Sequence, residues 1–432
     1  MTALEVTGGR PLRGRIRAPG DKSVSHRALI LASLAEGTSH VSGLASGDDV
    51  ARTAAALRLL GAGVDLIVLD RSATATVAGG RDRLRGSAVP LDLGNSGTGM
   101  RLLAGLCASL PWTTTLTGDD SLSSRPMDRV AEPLRRMGAR VEGTGEGGRP
   151  PLTVRGGGLT GIDYDLAVPS AQVKGAILLA GLGAEGDTVV RERVLTRAHT
   201  EEMLATVGAD VVVSADRLTT RVRAGTFEPF RMDVPGDPSQ AAFWLVAACM
   251  TPGSDVVVEH VYVGQARVGF LDVLRRMGAD LEMEEHDDGT ADIRARFGPL
   301  RGTEVGGDEV PGLIDEIPVL AVAAAVAEGP TTFSGAAELR VKETDRVATL
   351  AAELVGVGTR IEERPDGLMV PGGGRFRAGV VQSHGDHRIA MALAVAGLAS
   401  AGDRGTPIRI EGWDAVATSY PGFADDMERL CR

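Results

Sequence analysis

The sequence of 432 residues contains an internal repeat, and such a repeat sets the architecture of a chain. A helical pattern that ends in a glycine turn and leads into an apolar strand occurs five times, as in ALRLLGAGVD and VLRRMGADLEME. The turn glycines lie 70 to 78 residues apart, a longer period than the roughly 20–50 residues of solenoids and propellers. The spacing suits a βαβ-type unit of several elements, and glycine suits the position just after a helix. The turn glycines are Gly61, Gly138, Gly208, Gly278 and Gly356.

A second repeating segment, rich in Ala and Leu, alternates with the first and occurs six times. Because each copy is apolar on all sides, we expect a helix that is buried inside its domain. Six units predict an α/β chain with two lobes of three repeats each. The six segments are SHRALILASLAEGTSHV, GTGMRLLAGLCASLPWTTTL, AQVKGAILLAGLGAEGDTVV, SQAAFWLVAACMTPGSDVVV, DEIPVLAVAAAVAEGPTTFS and DHRIAMALAVAGLASAGDRGTPIRI.

Charge and hydropathy exclude several classes of protein. The net charge is −11 without a long basic run, and aromatic residues make up 3%, so we expect no nucleic-acid partner. The apolar runs 317–327 and 389–399 are shorter than the ~18–20 residues that span a membrane, so we expect no membrane partner. The N-terminal sequence lacks an apolar signal segment and the three cysteines lie far apart, which predicts a cytoplasmic protein without disulfides.

The segments that precede the six apolar helices carry most of the unusual polar residues. Ser, Asn and Asp are favoured helix caps, so each segment alone could be a simple helix start. Taken together, six helix N-termini with nearby cations predict a cleft that binds small polyanions. The segments are PGDKSVSHR, LGNSGTGMR, VPSAQVK, VPGDPSQ, PGLIDE and SHGDHR.

Individual side chains extend this interpretation. Lys22 and Arg27 lie five residues apart at a helix start, where they could grip anions. VKETDR places Lys342 and Arg346 four residues apart, which predicts one helical face, with Glu343 between them as a candidate acid or base. Asp315 and Glu316 open an apolar helix, where one could cap it or deprotonate a hydroxyl.

Metal, nucleotide and thiol chemistry lack support in the sequence. SHGDHR concentrates histidines and an aspartate, but no ligand pair stands elsewhere, so we expect an anion contact by Arg388 rather than a metal. No P-loop or dinucleotide motif occurs in a strand–turn–helix context, so we expect no ATP or NAD cofactor. Cys107 and Cys249 lie in apolar helices and are interpreted as small hydrophobic residues.

The polar motifs together resemble those of the EPSP synthase family of enolpyruvyl transferases. The likeness runs through PGDKSVSHR, LGNSGTGMR, SSRPM, SAQVKGA, IDEIPVLA, VKETDR, SHGDHRIAMA and TSYPGF. It implies transfer of the enolpyruvyl group of phosphoenolpyruvate to the 5-hydroxyl of shikimate 3-phosphate, without a metal or other cofactor. It also implies the two-lobed α/β fold of that family, in which three βαββαβ-type repeats form an inside-out α/β barrel around buried helices. The lobes would be 19–231 and 1–18 with 232–432, with the active site in the cleft between them and the chain a monomer.

The resemblance also implies a role for individual residues. Lys22, Asp315 and Glu343 resemble the catalytic group, with Asp315 as the base that faces the 5-hydroxyl and Glu343 as the acid that protonates the methylene carbon. The residues similar to shikimate 3-phosphate ligands are Lys22, Ser23, Arg27, Ser170, Gln172, Thr196, Asp315 and Lys342. The residues similar to phosphoenolpyruvate ligands are Lys22, Gly97, Arg125, Gln172, Arg346, His387 and Arg388.

Some positions depart from the best-known bacterial form, and they leave alternatives open. Ala171, Glu338 and Thr418 replace a serine, an asparagine and a lysine, and Thr196 replaces a serine that contacts phosphate. A paralogue with another acceptor is therefore one alternative, and a non-catalytic anion-binding module is another. A transferase that acts on UDP-N-acetylglucosamine would have cysteine where Asp120 stands. Gly97 resembles the small residue that leaves room for the inhibitor glyphosate in this family, whereas the ELRVKE and TSYPGF forms resemble a class that is often less sensitive to it, so both outcomes stay open.

Overall fold

A computed structural model describes residues 2–69, 71–400 and 407–432. The chain divides into two compact units: a central unit, Gly20–Val234, and a terminal unit, Met1–Pro19 with Pro235–Arg432. The boundaries expected from the sequence, after residues 18 and 231, lie slightly earlier. The second differs because the strand Arg231–Asp233 pairs with Thr38–Leu44 and so belongs to the central unit.

Elements are numbered along the chain, so the terminal unit contains β1, β2 and everything from β15 and α8 onward. Its strands are β1 (Ala3–Val6), β2 (Arg13–Arg17), β15 (Asp255–Tyr262), β16 (Asp280–Glu285), β17 (Thr290–Arg296), β18 (Glu304–Val305), β19 (Thr331–Phe333), β20 (Glu362–Arg364), β21 (Gly367–Val370), β22 (Gly379–Gln382) and β23 (Ile408–Glu411). Its helices are α8 (Pro238–Met250), α9 (Gly269–Arg276), α10 (Ile317–Val326), α11 (Arg346–Gly356), α12 (His387–Leu398) and α13 (Phe423–Leu430). Short 3-10 helices span Gly307–Gly312, Ala337–Val341 and Trp413–Thr418.

The central unit contains the elements from β3 to β14. Its strands are β3 (Thr38–Leu44), β4 (Gly63–Val68), β5 (Ala73–Ala78), β6 (Leu91–Asp92), β7 (Thr113–Thr117), β8 (Arg140–Thr144), β9 (Arg149–Arg155), β10 (Asp163–Asp165), β11 (Thr188–Arg191), β12 (Val211–Val213), β13 (Thr219–Val222) and β14 (Arg231–Asp233). Its helices are α1 (Lys22–Leu34), α2 (Asp48–Leu59), α3 (Gly97–Ala108), α4 (Asp120–Ser123), α5 (Asp128–Arg136), α6 (Ala171–Gly181) and α7 (His199–Thr206), with a 3-10 turn at Arg81–Arg83.

The sheets repeat one topology, which confirms the α/β class predicted from the internal repeat. In the central unit the strand orders are β14-β3-β5-β4, β6-β7-β9-β8 and β10-β11-β13-β12, and in the terminal unit β2-β15-β17-β16, β18-β19-β21-β20 and β22-β23-β1. The first pair in each order is parallel and the others are antiparallel. An uninterrupted repeat runs β–α–β–α–β–β rather than βαββαβ, because the hairpin strands come last. Within the described residues the sheets stay separate and do not close into a barrel.

Two strands are exchanged where the chain passes between the units. The strand that precedes α1 is β2, yet β2 pairs in parallel with β15, with Ile16 beside Val258. The strand that precedes α8 is β14, which pairs in parallel with β3, with Met232 beside Val41. β2 therefore belongs to a sheet of the terminal unit although it directly precedes α1 of the central unit. In the same way, β14 belongs to a sheet of the central unit although it directly precedes α8 of the terminal unit.

The apolar helices are buried, as the sequence predicts. In the central unit α3 packs on both α1 and α6, and in the terminal unit α8, α10 and α12 all pack on one another. Each trio lies in a separate apolar core, and fully buried side chains such as Trp244 and Phe243 fill the terminal one. Burial of a large apolar side chain stabilises a fold by roughly 1.5–3 kcal/mol, so the trios hold their helix N-termini firmly in place. In the described part of the chain, no helix has the length and hydropathy to cross a membrane.

The glycine turns follow the predicted pattern in four of five copies. Gly61, Gly138, Gly208 and Gly278 all have positive φ, from 77° to 109°, just after a helix. In the fifth copy Gly356 is the last residue of α11, and Gly358, with φ 94°, makes the turn instead. This copy has a second glycine, and the helix continues through the first. The loop 401–406 of the sixth apolar segment lies outside the described residues.

Candidate active site

The polar residues before the apolar helices are caps, as the simpler interpretation expected. Side chains of Asp21, Ser96, Ser170, Asp237 and Asp386 accept hydrogen bonds from backbone N–H groups in the first turns of α1, α3, α6, α8 and α12. The exception is α10, whose N-cap residue Glu316 makes no such bond. Capping does not exclude anion binding, because the cations at these helix starts are different residues.

Lys22 and Arg27 are held on α1 of the central unit. Lys22 is the first residue of the helix, and its Nζ lies 2.9 Å from Asp49 Oδ2. Arg27 is 2% exposed, donates from Nη1 to the Ser23 carbonyl at 2.9 Å, and donates from Nε to Thr200 Oγ1 at 2.7 Å. Both side chains therefore have fixed positions, which suits the recognition of a charged substrate.

His26 separates these cations along the helix and is uncharged at neutral pH. It is fully buried, with Nδ1 2.8 Å from Thr53 Oγ1. Burial, together with the nearby charges of Lys22 and Arg27, lowers the pKa of His26 from 6.5 to about 3.

The pKa of His26 makes stability depend on pH. The unfolded chain binds a proton here near pH 6.5 and the folded chain near pH 3, so stability falls as the pH drops through that range. When the pH is lowered from 7.5 to 5, the free energy of unfolding is expected to fall by about 2 kcal/mol more in wild type than in the His26→Asn variant. Urea unfolding at both pH values measures this, with the exposed His40→Asn as control. Equal losses in wild type and His26→Asn would contradict it.

Arg125 is oriented near the start of α3. Its Nη2 donates to Asn95 Oδ1 at 2.7 Å, and Asn95 donates to Asp119 at 2.9 Å. A Cβ at Gly97 would lie 3.0 Å from Arg125 Nη1 and 2.9 Å from Arg101 Nη1. Glycine therefore lets two guanidinium groups approach the same helix start.

Gln172 is bound to the same group through Arg101. Arg101 Nη1 donates to Gln172 Oε1 at 3.0 Å, and Gln172 Nε2 donates to Thr98 Oγ1 at 2.8 Å. The structure thus brings Gly97, Arg125 and Gln172 together. Sequence reasoning did not single out Arg101, although it ends the motif LGNSGTGMR.

Thr196 lies beside a buried charge cluster that sequence reasoning missed. Its hydroxyl donates to Glu192 Oε1. Lys174 Nζ lies 2.6 Å from Glu192 Oε2 and 2.6 Å from Glu201 Oε1, and all three charged side chains are at most 3% exposed. The only signal in the sequence is Lys174 within an otherwise apolar helix, where an unpaired lysine would be costly to bury.

Arg346 is the centre of the corresponding group in the terminal unit. Its Nε lies 2.7 Å from Asp386 Oδ2, its Nη2 2.6 Å from Glu343 Oε2 and its Nη1 3.4 Å from Asp315 Oδ1. The side chain is 1% exposed. Burial alone would lower the pKa of Arg346, but the three carboxylates, Asp386 first, raise it above its ordinary value. One guanidinium therefore orients Asp315 and Glu343 together.

Lys342 also contacts Asp315, but not from the predicted position. Its Nζ lies 3.2 Å from Asp315 Oδ1. The sequence predicted Lys342 and Arg346 on one helical face; in the structure α11 begins at Arg346, and Lys342 follows the 3-10 helix Ala337–Val341. Asp345 caps α11 and so ends any helical continuation from Lys342.

Arg388 lies at the start of α12, close to Asp315. Its Nη1 donates to the Asp315 carbonyl at 2.9 Å, and His387, the first residue of the helix, is buried. His384 of the same motif points elsewhere, with Nε2 2.7 Å from Glu353 Oε1. Across the described residues, no group of three or more His, Cys, Asp or Glu could hold a metal ion. Burial raises the pKa of Cys107 and Cys249 to about 12, so neither is a thiolate at neutral pH.

The repeated α/β fold and these two groups define a class of enzyme. Each unit presents buried cations at the starts of apolar helices, and the terminal unit adds two carboxylates on one guanidinium. Such a set binds small acidic substrates and can both remove and deliver protons.

The comparisons with known proteins agree with this class and give the family. The family model for EPSP synthase (3-phosphoshikimate 1-carboxyvinyltransferase) matches residues 6–427. A 3-phosphoshikimate 1-carboxyvinyltransferase from Gloeobacter violaceus is 50% identical, over 99% of both chains. The solved structure of an EPSP synthase from Acinetobacter baumannii has a TM-score of 0.84 and 42% sequence identity. The match covers 99% of this chain and 98% of that chain. The chain belongs to the EPSP synthase family, whose members are enolpyruvyl transferases of the shikimate pathway.

A more distant solved structure shares the fold alone. The enolpyruvyl transferase NikO from Streptomyces tendae has a TM-score of 0.78 at 20% identity, with 99% of this chain and 97% of that chain covered.

Proposed function

We propose that this chain transfers the enolpyruvyl group of phosphoenolpyruvate to the 5-hydroxyl of shikimate 3-phosphate and releases phosphate. The observation that carries the proposal is that Asp315 and Glu343 are bound to the Nη1 and Nη2 atoms of one guanidinium, that of Arg346. A reaction that adds an alcohol across a carbon–carbon double bond needs a base and an acid with fixed relative positions.

In the proposed reaction each of the two carboxyl groups transfers protons at a different atom of the substrates. Asp315 accepts the proton of the 5-hydroxyl as its oxygen bonds to C2 of phosphoenolpyruvate, and Glu343 gives a proton to C3. The resulting tetrahedral intermediate breaks its C2–O bond to phosphate when Glu343 takes a proton back from the new methyl group. The departing phosphate takes up the proton that Asp315 had accepted, so both carboxyl groups return to their starting states. Lys342 Nζ and Arg346 Nη1, 3.2 and 3.4 Å from Asp315 Oδ1, hold the carboxylate in position for these proton transfers.

The remaining residues bind the two acidic substrates in this proposal. Ser23, Arg27, Ser170, Gln172, Thr196 and Lys342 bind shikimate 3-phosphate, and Gly97, Arg125, Gln172, Arg346, His387 and Arg388 bind phosphoenolpyruvate, with Lys22 contacting both. Support comes from the fixed cations: Arg27, Arg125, Arg346 and Arg388 are at most 7% exposed and all make hydrogen bonds that orient them. Preorganised guanidinium groups stabilise charge that develops on phosphate and carboxylate oxygens.

The experiment that tests the proposal measures phosphate release from phosphoenolpyruvate. Shikimate 3-phosphate and UDP-N-acetylglucosamine are offered in parallel at matched concentrations without added metal. We expect release with shikimate 3-phosphate only, since Asp120 stands where a UDP-N-acetylglucosamine transferase would have its cysteine. Release with UDP-N-acetylglucosamine alone, or with neither acceptor, would contradict the proposal.

We further propose that the enzyme acts as a cytoplasmic monomer and that glyphosate binds in place of phosphoenolpyruvate. The three free cysteines suit a reducing compartment, and each unit has its own apolar core. Gly97 keeps the helix start beside Arg125 free of a side chain. Inhibition by glyphosate that is competitive with phosphoenolpyruvate would support glyphosate binding at that site. Inhibition that does not depend on the phosphoenolpyruvate concentration would contradict it.

A further inference from the structure

We propose that Glu192 is a positioning residue that lowers the affinity for shikimate 3-phosphate, because it competes with the substrate's 3-phosphate for the hydroxyl hydrogen of Thr196. The inference rests on the proposed function, in which Thr196 binds that phosphate. Glu192 itself touches no substrate in this proposal; it acts through Thr196 and so sets how strong an acceptor a ligand must present.

The hydrogen bonds of the cluster carry the first step. A threonine hydroxyl has one hydrogen, and Thr196 donates it to Glu192 Oε1. Lys174 Nζ holds the other oxygen, Glu192 Oε2, at 2.6 Å and also binds Glu201 at 2.6 Å. Thr196 and Glu192 are 3% and 7% exposed, so water does not readily replace either partner. A ligand that takes the Thr196 hydrogen must therefore displace a carboxylate that a buried lysine keeps in place.

The place of Thr196 in the fold carries the second step. It lies in the loop between β11 and α7, and Thr200 at the start of α7 accepts the Nε hydrogen of Arg27 at 2.7 Å. A Cβ at Gly175 on α6 would lie 2.8 Å from Thr200 Oγ1 and 3.1 Å from Arg27 Nη2, so the three helices α1, α6 and α7 approach one another here. Two members of the cluster, Lys174 and Glu201, are therefore next in the chain to residues that approach Arg27, the cation that the proposed function assigns to the same substrate.

Competition of this kind affects the binding of a phosphorylated ligand more than that of an unphosphorylated one. A doubly charged phosphate is a strong enough acceptor to draw the hydrogen from a carboxylate, and Arg27 adds to its attraction. A neutral hydroxyl gains nothing by the exchange, because it would leave Glu192 Oε1 without a donor in a buried position. Glu192 therefore weakens binding of the phosphorylated substrate and leaves binding of the unphosphorylated one almost unchanged, so the preference for the phosphorylated substrate is smaller with Glu192 than without it.

The Glu192→Gln variant removes the competition while it keeps the shape of the side chain. Lys174 can only donate, so the amide oxygen of the variant faces Lys174, and its NH₂ faces the Thr196 oxygen and donates to it. The Thr196 hydrogen is then available to the phosphate. We expect the Kd for shikimate 3-phosphate to fall about tenfold, the value of one hydrogen bond to a charged group. The Kd for phosphoenolpyruvate and for shikimate should stay within about twofold of wild type.

The matched control is Glu201→Gln, which removes the second carboxylate bound to Lys174. Glu201 lies at the same 2.6 Å from Lys174 Nζ, but none of the bonds described above joins it to Thr196. We expect this variant to leave the Kd for shikimate 3-phosphate unchanged. In a Thr196→Val background, Glu192→Gln should also have no effect, because the hydroxyl is gone. Purely structural damage would weaken ligand binding and lower the unfolding midpoint, whereas the proposal expects tighter binding.

Isothermal titration calorimetry of the full chain with each ligand measures all four variants and wild type. Unchanged or weaker binding of shikimate 3-phosphate by Glu192→Gln would overturn the inference. So would an equal gain in Glu201→Gln, or a gain that persists in the Thr196→Val background, since both indicate a general charge effect. Failure of wild type to turn over shikimate 3-phosphate would instead overturn the proposed function, so the two failures are distinguishable.

Discussion

Replacement of Glu343 by glutamine is expected to lower kcat by about 10²- to 10⁴-fold, the usual contribution of a general acid or base. The amide keeps the volume of the side chain and can still accept the 2.6 Å hydrogen bond from Arg346 Nη2. It cannot deliver a proton to C3 of phosphoenolpyruvate or retrieve one. Steady-state phosphate release measures kcat, and calorimetry should find both substrates bound with affinities near those of wild type.

Glu353→Gln is the control for this prediction. Glu353 has the same 14% side-chain exposure as Glu343 and also accepts a short bond, 2.7 Å from His384 Nε2, but lies outside the candidate site. We expect its kcat to stay close to that of wild type. A Glu343→Gln enzyme with kcat within a few-fold of wild type would remove Glu343 as the acid.

The second large effect concerns stability and is expected for Arg346→Gln. The change leaves Asp386, Glu343 and Asp315 without their shared cation in a buried place, which should cost about 3–5 kcal/mol of unfolding free energy. Binding of phosphoenolpyruvate should be lost as well. Urea unfolding followed by tryptophan fluorescence measures the stability, because Trp244 is buried in the core of the same unit.

The Arg340→Gln variant tests whether burial of the ion pairs causes the large loss of stability expected for Arg346→Gln. Arg340 also pairs with two carboxylates, Asp345 at 2.7 Å and Glu363 at 3.0 Å, but its side chain is 24% exposed. We expect a loss of at most about 1 kcal/mol, as for other ion pairs near water. Similar losses for the two arginine variants would show that the buried cluster around Arg346 has no special role in stability.

Periodicity and composition carried most of the fold. Helices that are apolar on every side can only be buried, and six copies of one pattern indicate six copies of one unit, so the α/β class followed from the sequence. The strand exchange of β2 and β14 did not, because these strands pair with partners 242 and 191 residues away, and such pairing leaves no local mark. The order of strands within a repeat was missed for a different reason: strands of two residues, such as β6 and β18, are too short to give a period of their own.

The candidate site was predictable in its residues but not in their partners. Motifs gave Lys22, Arg125, Asp315 and Arg388, whereas the contacts of Arg346 with three carboxylates depend on where two loops and a helix meet. The Lys342 position was misjudged because a four-residue spacing favours a helix only if no cap intervenes, and Asp345 provides one. Nothing in the sequence singled out Glu192 and Glu201, because a buried glutamate cannot be distinguished from a surface glutamate by sequence alone.

The pairing of β1 with β23 has a consequence for the order in which the chain folds as it leaves the ribosome. Ala3 lies opposite Glu411 in an antiparallel ladder, and β2 pairs with β15, so β1 and β2 are synthesised long before their partners. The central unit, whose segments are contiguous, can fold once residue 234 has emerged. The terminal unit can form its sheet of β22, β23 and β1 only after β23 has emerged, and until then β1 lacks its strand partner.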